Sequence, residues 1–316
     1  MQKRMLGRSG LEIAPLVFGG NVFGWTADEK TSCSLLDAWV DAGLDAVDTA
    51  DIYSAWVPGN HGGESETLIG NWLARQPAKR GKVTLITKVG SEFSKEKKGL
   101  SARWIMQAVE DSLRRLRTDY IDLYLSHWFD PETPYEETLG AYRKLLEQGK
   151  IRAIGASNLN AQQLSESLQV AGDKGLPRYD VLQPEYNLYN RASFDGPLAE
   201  LAMREDIGVI TYSSLASGFL TGKYRSKADL GKSVRGERVA KYLDARGARI
   251  LDALEQAAQS LDASMAEVAL AWVMARPGVT APIASATSLK QLNSLLRSVR
   301  LELGPAQQAL LDEASR

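Results

Sequence analysis

Eight short apolar runs alternate with amphipathic helical segments along this 316-residue chain, and that alternation constrains the fold more than any other feature. The runs are PLVFG (15–19), LDAVD (44–48), VTLIT (83–87), YIDLYL (120–125), IRAIG (151–155), DVLQ (180–183), GVITY (208–212) and TAPI (280–283). Their ends recur roughly every 30–40 residues, the length of a strand–helix unit, until a longer gap before the last. Strands separated by helices form a parallel sheet whose faces the helices cover. Eight such units predict an α/β chain closed into a (β/α)8 TIM barrel, with a doubly wound open sheet as the alternative.

The intervening segments carry helical periodicity and helical punctuation. After Ser101, residues Ile105, Ala108, Val109, Ser112, Leu113 and Leu116 fall on one face, with Arg114, Arg115 and Arg117 among the outward positions. Thr133 and Pro134 read as N-cap and first helical residue of a segment that buries Leu139, Tyr142 and Leu146 and stops at Gly149. Further helices are predicted over 29–42, 63–75, 160–171, 197–206, 246–260, 264–275 and 288–297, with an extra C-terminal helix from Pro305. The opening MQKRMLGRSGLEIA, with its Gly-Arg-Ser-Gly turn, predicts a short hairpin beneath the barrel. Nothing resembles a linker or repeat, so a single domain over 1–316 is expected.

Composition narrows the functional classes. A net charge of −1 gives no electrostatic reason to expect nucleic acid or an anionic membrane as partner. No window approaches the ~18 apolar residues of a membrane span, and the basic start lacks a signal-peptide core, so a cytoplasmic protein is expected. Cys33 is the single cysteine, which excludes an internal disulfide. With two histidines in all, no metal site is expected.

Four side chains stand at or just beyond the ends of the second, third and fourth runs: Asp48, Tyr53, Lys88 and His127. The C-terminal strand edge is where parallel barrels do chemistry. A phenol, an ammonium, a carboxylate and an imidazole gathered there suit proton delivery to a carbonyl. Tyr53 is the expected acid. Lys88, placed beside it, is expected to lower the phenol's pKa, Asp48 to hold the lysine, and His127 to donate to the substrate oxygen. Each residue also has a packing or capping role open to it, and only their joint placement favours chemistry.

The segments DAVDTADIYS, GGESETLIGNWL, LITKVG and DLYLSHW, followed by GASNLN (155–160), LQPEYNLYNR (182–191) and ITYSSLASGFLTGKY (210–224), resemble the aldo-keto reductases over nearly the whole chain. The closer likeness is to the bacterial branch related to potassium-channel β-subunits. The resemblance implies a barrel oxidoreductase using NADPH, with Asp48, Tyr53, Lys88 and His127 as a catalytic tetrad.

It also implies cofactor positions. Ser157, Asn158 and Gln183 would meet the nicotinamide carboxamide and Tyr212 its ring, while Ser213, Leu215, Gly218, Leu220 and Lys223 would wrap the pyrophosphate. Ser285, Thr287 and Gln291 match the segment that meets the adenosine end and 2′-phosphate. No GxGxxG follows a run, and GFLTGKY lacks the spacing and hydroxyl of a phosphate loop. SerAlaThrSer (285–288) lacks the arginine expected for the 2′-phosphate, so Lys290, Lys223 or Arg225 is expected to supply charge, and NADH is not excluded.

Trp25, Trp56 and Trp128 are expected to wall an apolar substrate pocket for a small carbonyl or alcohol, with rim packing as their other reading. SKEKKG (94–99) reads as a solvated loop and His61 as a surface residue. RSKADLGKSVRGER (225–238) reads as a mobile segment able to fold over the cofactor. The alternative to an enzyme is a nucleotide-binding regulatory or redox-sensing subunit like the channel β-subunits. A phosphate-binding barrel isomerase is a third reading.

Overall fold

The alternating runs become strands of one closed parallel barrel in a computed structural model that describes residues 2–316. Before it, β1 (Arg4–Met5) and β2 (Glu12–Ile13) pair antiparallel as the predicted hairpin. The barrel strands are β3 (Val17–Gly19), β4 (Ala46–Asp48), β5 (Thr84–Val89), β6 (Ile121–Ser126), β7 (Ile151–Ser157), β8 (Val181–Gln183), β9 (Gly208–Thr211) and β10 (Ala281–Ala284). Sequence neighbours are barrel neighbours, and β10 closes the ring by pairing with both β9 and β3.

The outer layer holds α1 (Glu29–Asp41), α2 (Glu64–Arg75), α3 (Ala102–Leu116), α4 (Tyr135–Glu147), α5 (Ala161–Lys174) and α6 (Pro197–Arg204). It continues with α7 (Gly236–Val239), α8 (Ala245–Ser260), α9 (Met265–Met274), α10 (Leu289–Ser298) and α11 (Pro305–Ala314). Local chemistry sets their ends. In α3 the Ser101 hydroxyl accepts from the Trp104 amide, the predicted apolar face is buried, and Arg117 stops the helix at φ +52°. Removing a cap of this kind costs about 1 kcal/mol. Capping boxes at Asn160/Gln163 and Ser264/Glu267 start α5 and α9.

Two expectations need correction. Thr133 does not cap α4, because its hydroxyl donates to Asp130 Oδ2 at 2.7 Å. Pro134, extended at ψ 143°, becomes the N-cap and the helix starts one residue later. Segment 225–238 is folded rather than open. A 3-10 turn (Lys227–Lys232) and α7 pack it down, with Gly236 against the Leu230 carbonyl and Val239 fully buried. The sparse apolar residues there escaped a periodicity test because short turns show no helical period.

Inside the ring, period-two alternation decides what points inward. Val17, Ala46, Ile86, Leu123, Leu125, Ala153, Val181, Ile210, Ala281 and Ile283 form the lumen core. Leu6 and Ile13 of the hairpin plug its floor. Gly7, at φ +57°, lies so close to Gly208 that a Cβ on either would strike the other's backbone. One step of two residues above this apolar layer, the same inward register places Asp48, Lys88, His127, Gln183, Tyr212 and Ser285, and Ser157 stands two such steps above Ala153. The lumen is therefore apolar below and polar at its C-terminal mouth. Among the described residues, no helix is long and apolar enough to cross a membrane, and no cluster of three His, Cys, Asp or Glu residues could hold a metal.

Candidate active site

β4 and β5 present Asp48 and Lys88 side by side because Asp48 pairs in register with Ile86, two residues before Lys88. Tyr53 returns to them through a tight turn: the Thr49 amide donates to the Ile86 carbonyl at 2.8 Å and the Asp51 amide to the Lys88 carbonyl at 3.2 Å. Ser54, at φ +75°, ends the turn and donates to the Phe23 carbonyl at 2.6 Å. Lys88, wholly buried, donates to Asp48 Oδ2 at 2.7 Å, the Thr49 carbonyl at 2.7 Å and the Tyr53 oxygen at 2.9 Å. An ammonium has three N–H groups, and all are committed. Gln183 Nε2 donates to the other Asp48 oxygen at 2.8 Å, so both carboxylate oxygens are held.

The Tyr53 oxygen therefore accepts from Lys88 and retains its own proton. Among the described residues its only acceptor is Asp48 Oδ2 at 3.4 Å, too long for a strong bond. Burial, and next the Asp48 carboxylate, push the phenol well above the ordinary tyrosine value. This reverses the expectation that Lys88 lowers it. Desolvation and the nearby anion both disfavour phenolate, and the lysine charge is already paired. Burial pulls Lys88 itself below the usual lysine value, against the opposing pull of Asp48.

His127 lies one residue past β6, its amide donating to the Val89 carbonyl at 2.8 Å. Burial, and then the Lys88 charge, hold the ring well below the usual histidine value, so it is neutral at pH 7. Its ring lies 6.0 Å from that of Tyr53, and Ser91 Oγ is 3.0 Å from Nδ1.

The remaining predicted positions divide into those around this cluster and those elsewhere. Ser157 donates to the Gln183 carbonyl at 2.7 Å, Asn158 Nδ2 to the His127 carbonyl at 3.0 Å, and Tyr212 to Asn158 Oδ1 at 2.6 Å. These groups thus knit β7, β8 and β9 to the histidine. Beyond Tyr212, left-handed backbone at Ser213, Ala216, Ser217 and Gly218 coils the chain into a turn of the kind that points N–H groups at an anion. A Cβ at Gly218 would meet Lys223 Nζ at 3.6 Å; among the described residues that ammonium has no carboxylate partner and lies 5.0 Å from the Tyr224 ring centroid. Leu215 and Leu220 pack that turn onto the core. An unpaired ammonium over a glycine-containing left-handed turn fits a pyrophosphate.

At the other side of the mouth, Ser285 donates to Asn21 Oδ1 at 2.7 Å, and a Cβ on Gly19 would come within 2.6 Å of Ser285 Oγ. Thr287 donates from its amide to Gln291 at 2.8 Å across the start of α10, where Ser288 is the N-cap. Lys290 is exposed. Arg225 is already paired: it reaches Asp252 and Glu255 of α8, each at 2.8 Å.

Aromatic rings border the cluster. Trp25 meets Trp56 edge-on at 5.7 Å, Trp56 meets Tyr53 at 6.0 Å, and Trp128 stacks on His127 at 5.6 Å. Trp56 and Trp128 are 40% and 50% exposed, which leaves large apolar faces open at the mouth. Arg235 and Arg238, from the segment expected to be mobile, stack on Trp25 at 5.0 and 5.4 Å.

Sequence reasoning missed four groups at this site: the Thr49 carbonyl, Asn21, Ser91 and Asp51. Asp51 is 1% exposed and neither oxygen makes a well-formed hydrogen bond. Burial, then Glu66, push its carboxyl well above the usual range. Ser91 could have been noticed, since it follows Gly90 directly after a lumen strand. Asn21 carried no comparable signal.

Comparison with known proteins gives a consistent match. Residues 15–316 fit the sequence pattern of the Aldo/keto reductase family. The chain is similar to the uncharacterized oxidoreductase YrpG of Bacillus subtilis (strain 168), 34% identical over 96% of this chain and 92% of the relative. It is similar to Protein tas of Escherichia coli (strain K12), 32% identical over 96% of this chain and 94% of the relative. A probable voltage-gated potassium channel subunit beta of Oryza sativa subsp. japonica is 33% identical over 92% of this chain and 89% of the relative.

Proposed function

This chain belongs to the aldo/keto reductase family, and from that premise we propose that it reduces aldehydes or ketones reversibly to alcohols, with Tyr53 as the proton donor. The observation that carries the reading is the commitment of all three Lys88 N–H groups to Asp48, Thr49 and the Tyr53 oxygen. The phenol proton is then left without a good internal acceptor among the described residues.

Tyr53 holds that proton at neutral pH and releases it to a carbonyl oxygen as negative charge develops there. The Lys88 ammonium, already donating to the phenol oxygen, stabilises the phenolate left behind. Asp48 keeps Lys88 charged and aimed, and Gln183 keeps Asp48 aimed. His127, neutral at pH 7, donates a hydrogen bond to the same carbonyl oxygen and orients it. Trp25, Trp56 and Trp128 exclude water around an apolar substrate.

A bound nicotinamide nucleotide supplies the hydride. Ser157, Asn158, Gln183 and Tyr212 would hold its nicotinamide end. The turn from Ser213 through Leu215 and Gly218 to Leu220, together with Lys223, would hold the pyrophosphate, and Ser285, Thr287 and Gln291 the adenosine end. NADPH is the proposed nucleotide, and cytoplasm the proposed location. Arg225 can join only by leaving Asp252 and Glu255, and the absence of arginine from 285–288 makes NADH its competitor.

The test is a fluorescence titration with NADPH and NADH, followed by steady-state turnover on a panel of aldehydes and ketones. Multiple turnovers with saturable carbonyl dependence support the reductase. Tight nucleotide binding without turnover supports the second reading, a nucleotide-binding regulatory subunit, which the similarity to the rice protein keeps in view.

A further inference from the structure

His127 is held at two points by one loop. Its amide donates to the Val89 carbonyl at 2.8 Å, and its Nδ1 lies 3.0 Å from Ser91 Oγ. The loop is shaped by Gly90 at φ +114°, where a Cβ would also press on Leu100 Cδ2 at 2.9 Å. Only glycine takes that conformation without strain. Ser91 is 8% exposed and His127 9% exposed, so water has little access to their contact.

A neutral imidazole carries one N–H, and the hydrogen bond at one nitrogen decides where it sits. Two arrangements are available. If Nδ1 carried the proton it would donate to Ser91 Oγ, and the serine hydroxyl proton would need another acceptor. Ser91 makes no other hydrogen bond among the described residues, so that proton would be stranded in a nearly buried site. If Ser91 donates to Nδ1, its single proton is satisfied and the imidazole proton moves to Nε2, across the ring from Ser91. Each arrangement leaves one proton without an internal partner, but the Ser91–His127 contact is buried whereas Nε2 is not among the buried unpartnered atoms, so only the second arrangement leaves that proton facing the open mouth.

We propose that Ser91 is a positioning residue that fixes His127 in its Nε2–H tautomer, so that the ring enters the reaction as a hydrogen-bond donor to the carbonyl oxygen. This rests on the reductase reading above. The depressed basicity of the ring agrees with it, since a protonated imidazole would have no tautomer to choose. The role lies outside the four-residue cluster, because Ser91 acts only through the far nitrogen of His127.

The chain has two histidines, His61 and His127, so nitrogen-15 histidine labelling yields a spectrum of two residues, assigned with a His61→Gln variant. Nitrogen NMR of the full-length protein at pH 7, without substrate or nucleotide, reads the tautomer directly. The expected wild-type result is a protonated Nε2 and a bare Nδ1 at His127. Ser91→Ala is expected to mix the two tautomers and to lower kcat for carbonyl reduction about tenfold, the scale of one hydrogen bond, with nucleotide Kd unchanged. Ser91→Thr, which keeps the hydroxyl, is expected to retain both tautomer and rate. A wild-type Nδ1–H tautomer overturns the proposal, as does an unmixed Nε2–H spectrum in Ser91→Ala. Because the spectrum is independent of turnover, an inactive wild-type protein would count against the reductase reading and leave the tautomer result standing.

Discussion

Lys88→Met isolates the electrostatic centre of the site. Methionine matches the length of the lysine stem, so the cavity contribution is small and the loss is chiefly that of charge. Lys88 is wholly buried and Asp48 is 2% exposed, joined by a 2.7 Å ion pair. Removing the ammonium leaves Asp48 with Gln183 at 2.8 Å and the distant Tyr53 hydroxyl. Breaking one partner from a buried pair of this kind costs about 3–5 kcal/mol, roughly a fifth or more of the ~5–15 kcal/mol typical of a folded protein. Asp48→Asn combined with Lys88→Met removes both charges and should recover most of that loss, giving a coupling energy of roughly 2–3 kcal/mol. The double variant should remain inactive, since no ammonium faces the phenol. Urea unfolding of the four proteins, with matched m-values, measures the cycle, and carbonyl turnover is followed in parallel. A Lys88→Met protein within about 1 kcal/mol of wild type, or additive single effects, would refute the buried-pair reasoning.

Other consequences can be checked with the same tools. Asp51 has a folded pKa raised above its unfolded value, so the stability it contributes is present below the unfolded value of 3.8 and lost as pH rises through the raised one. Asp51→Asn should therefore be more stable than wild type at pH 7 and similar to it near the acid end, read from unfolding midpoints across pH. Trp128→Ala, at a residue 50% exposed and stacked on His127, should raise KM for apolar carbonyls about tenfold by removing contact area, with nucleotide affinity unchanged. Lys223→Ala should weaken NADPH by about tenfold in a fluorescence titration, and the loss should shrink at high salt.

Much of the site was legible because the lumen repeats every two residues. Ala46 precedes Asp48, Ile86 precedes Lys88, Leu125 precedes His127, Val181 precedes Gln183 and Ile210 precedes Tyr212, each by one inward step. A reader who recognises the strands can therefore place the polar mouth. What escaped depends on meetings between distant segments. Ser285 meets Asn21 across 264 residues, and Arg225 finds Asp252 and Glu255 on a helix with no local mark of that role. The direction of the Tyr53 shift was misread for a related reason. Proximity to Lys88 was visible, but the depth of burial and the pairing of Lys88 with Asp48 belong to the packed structure. Thr133 shows the same on a smaller scale, since Asp130 claimed the hydroxyl that a cap would have used.

The proton assignment is tested most directly by Tyr53→Phe, which removes one hydroxyl and keeps the ring between Trp56 and His127. Single-turnover reduction of an aldehyde by the NADPH-loaded protein, alongside a nucleotide titration, separates chemistry from binding. The account predicts unchanged nucleotide affinity and a rate at least about 100-fold lower, the scale of losing a general acid. A rate near that of wild type would mean that the proton comes from elsewhere.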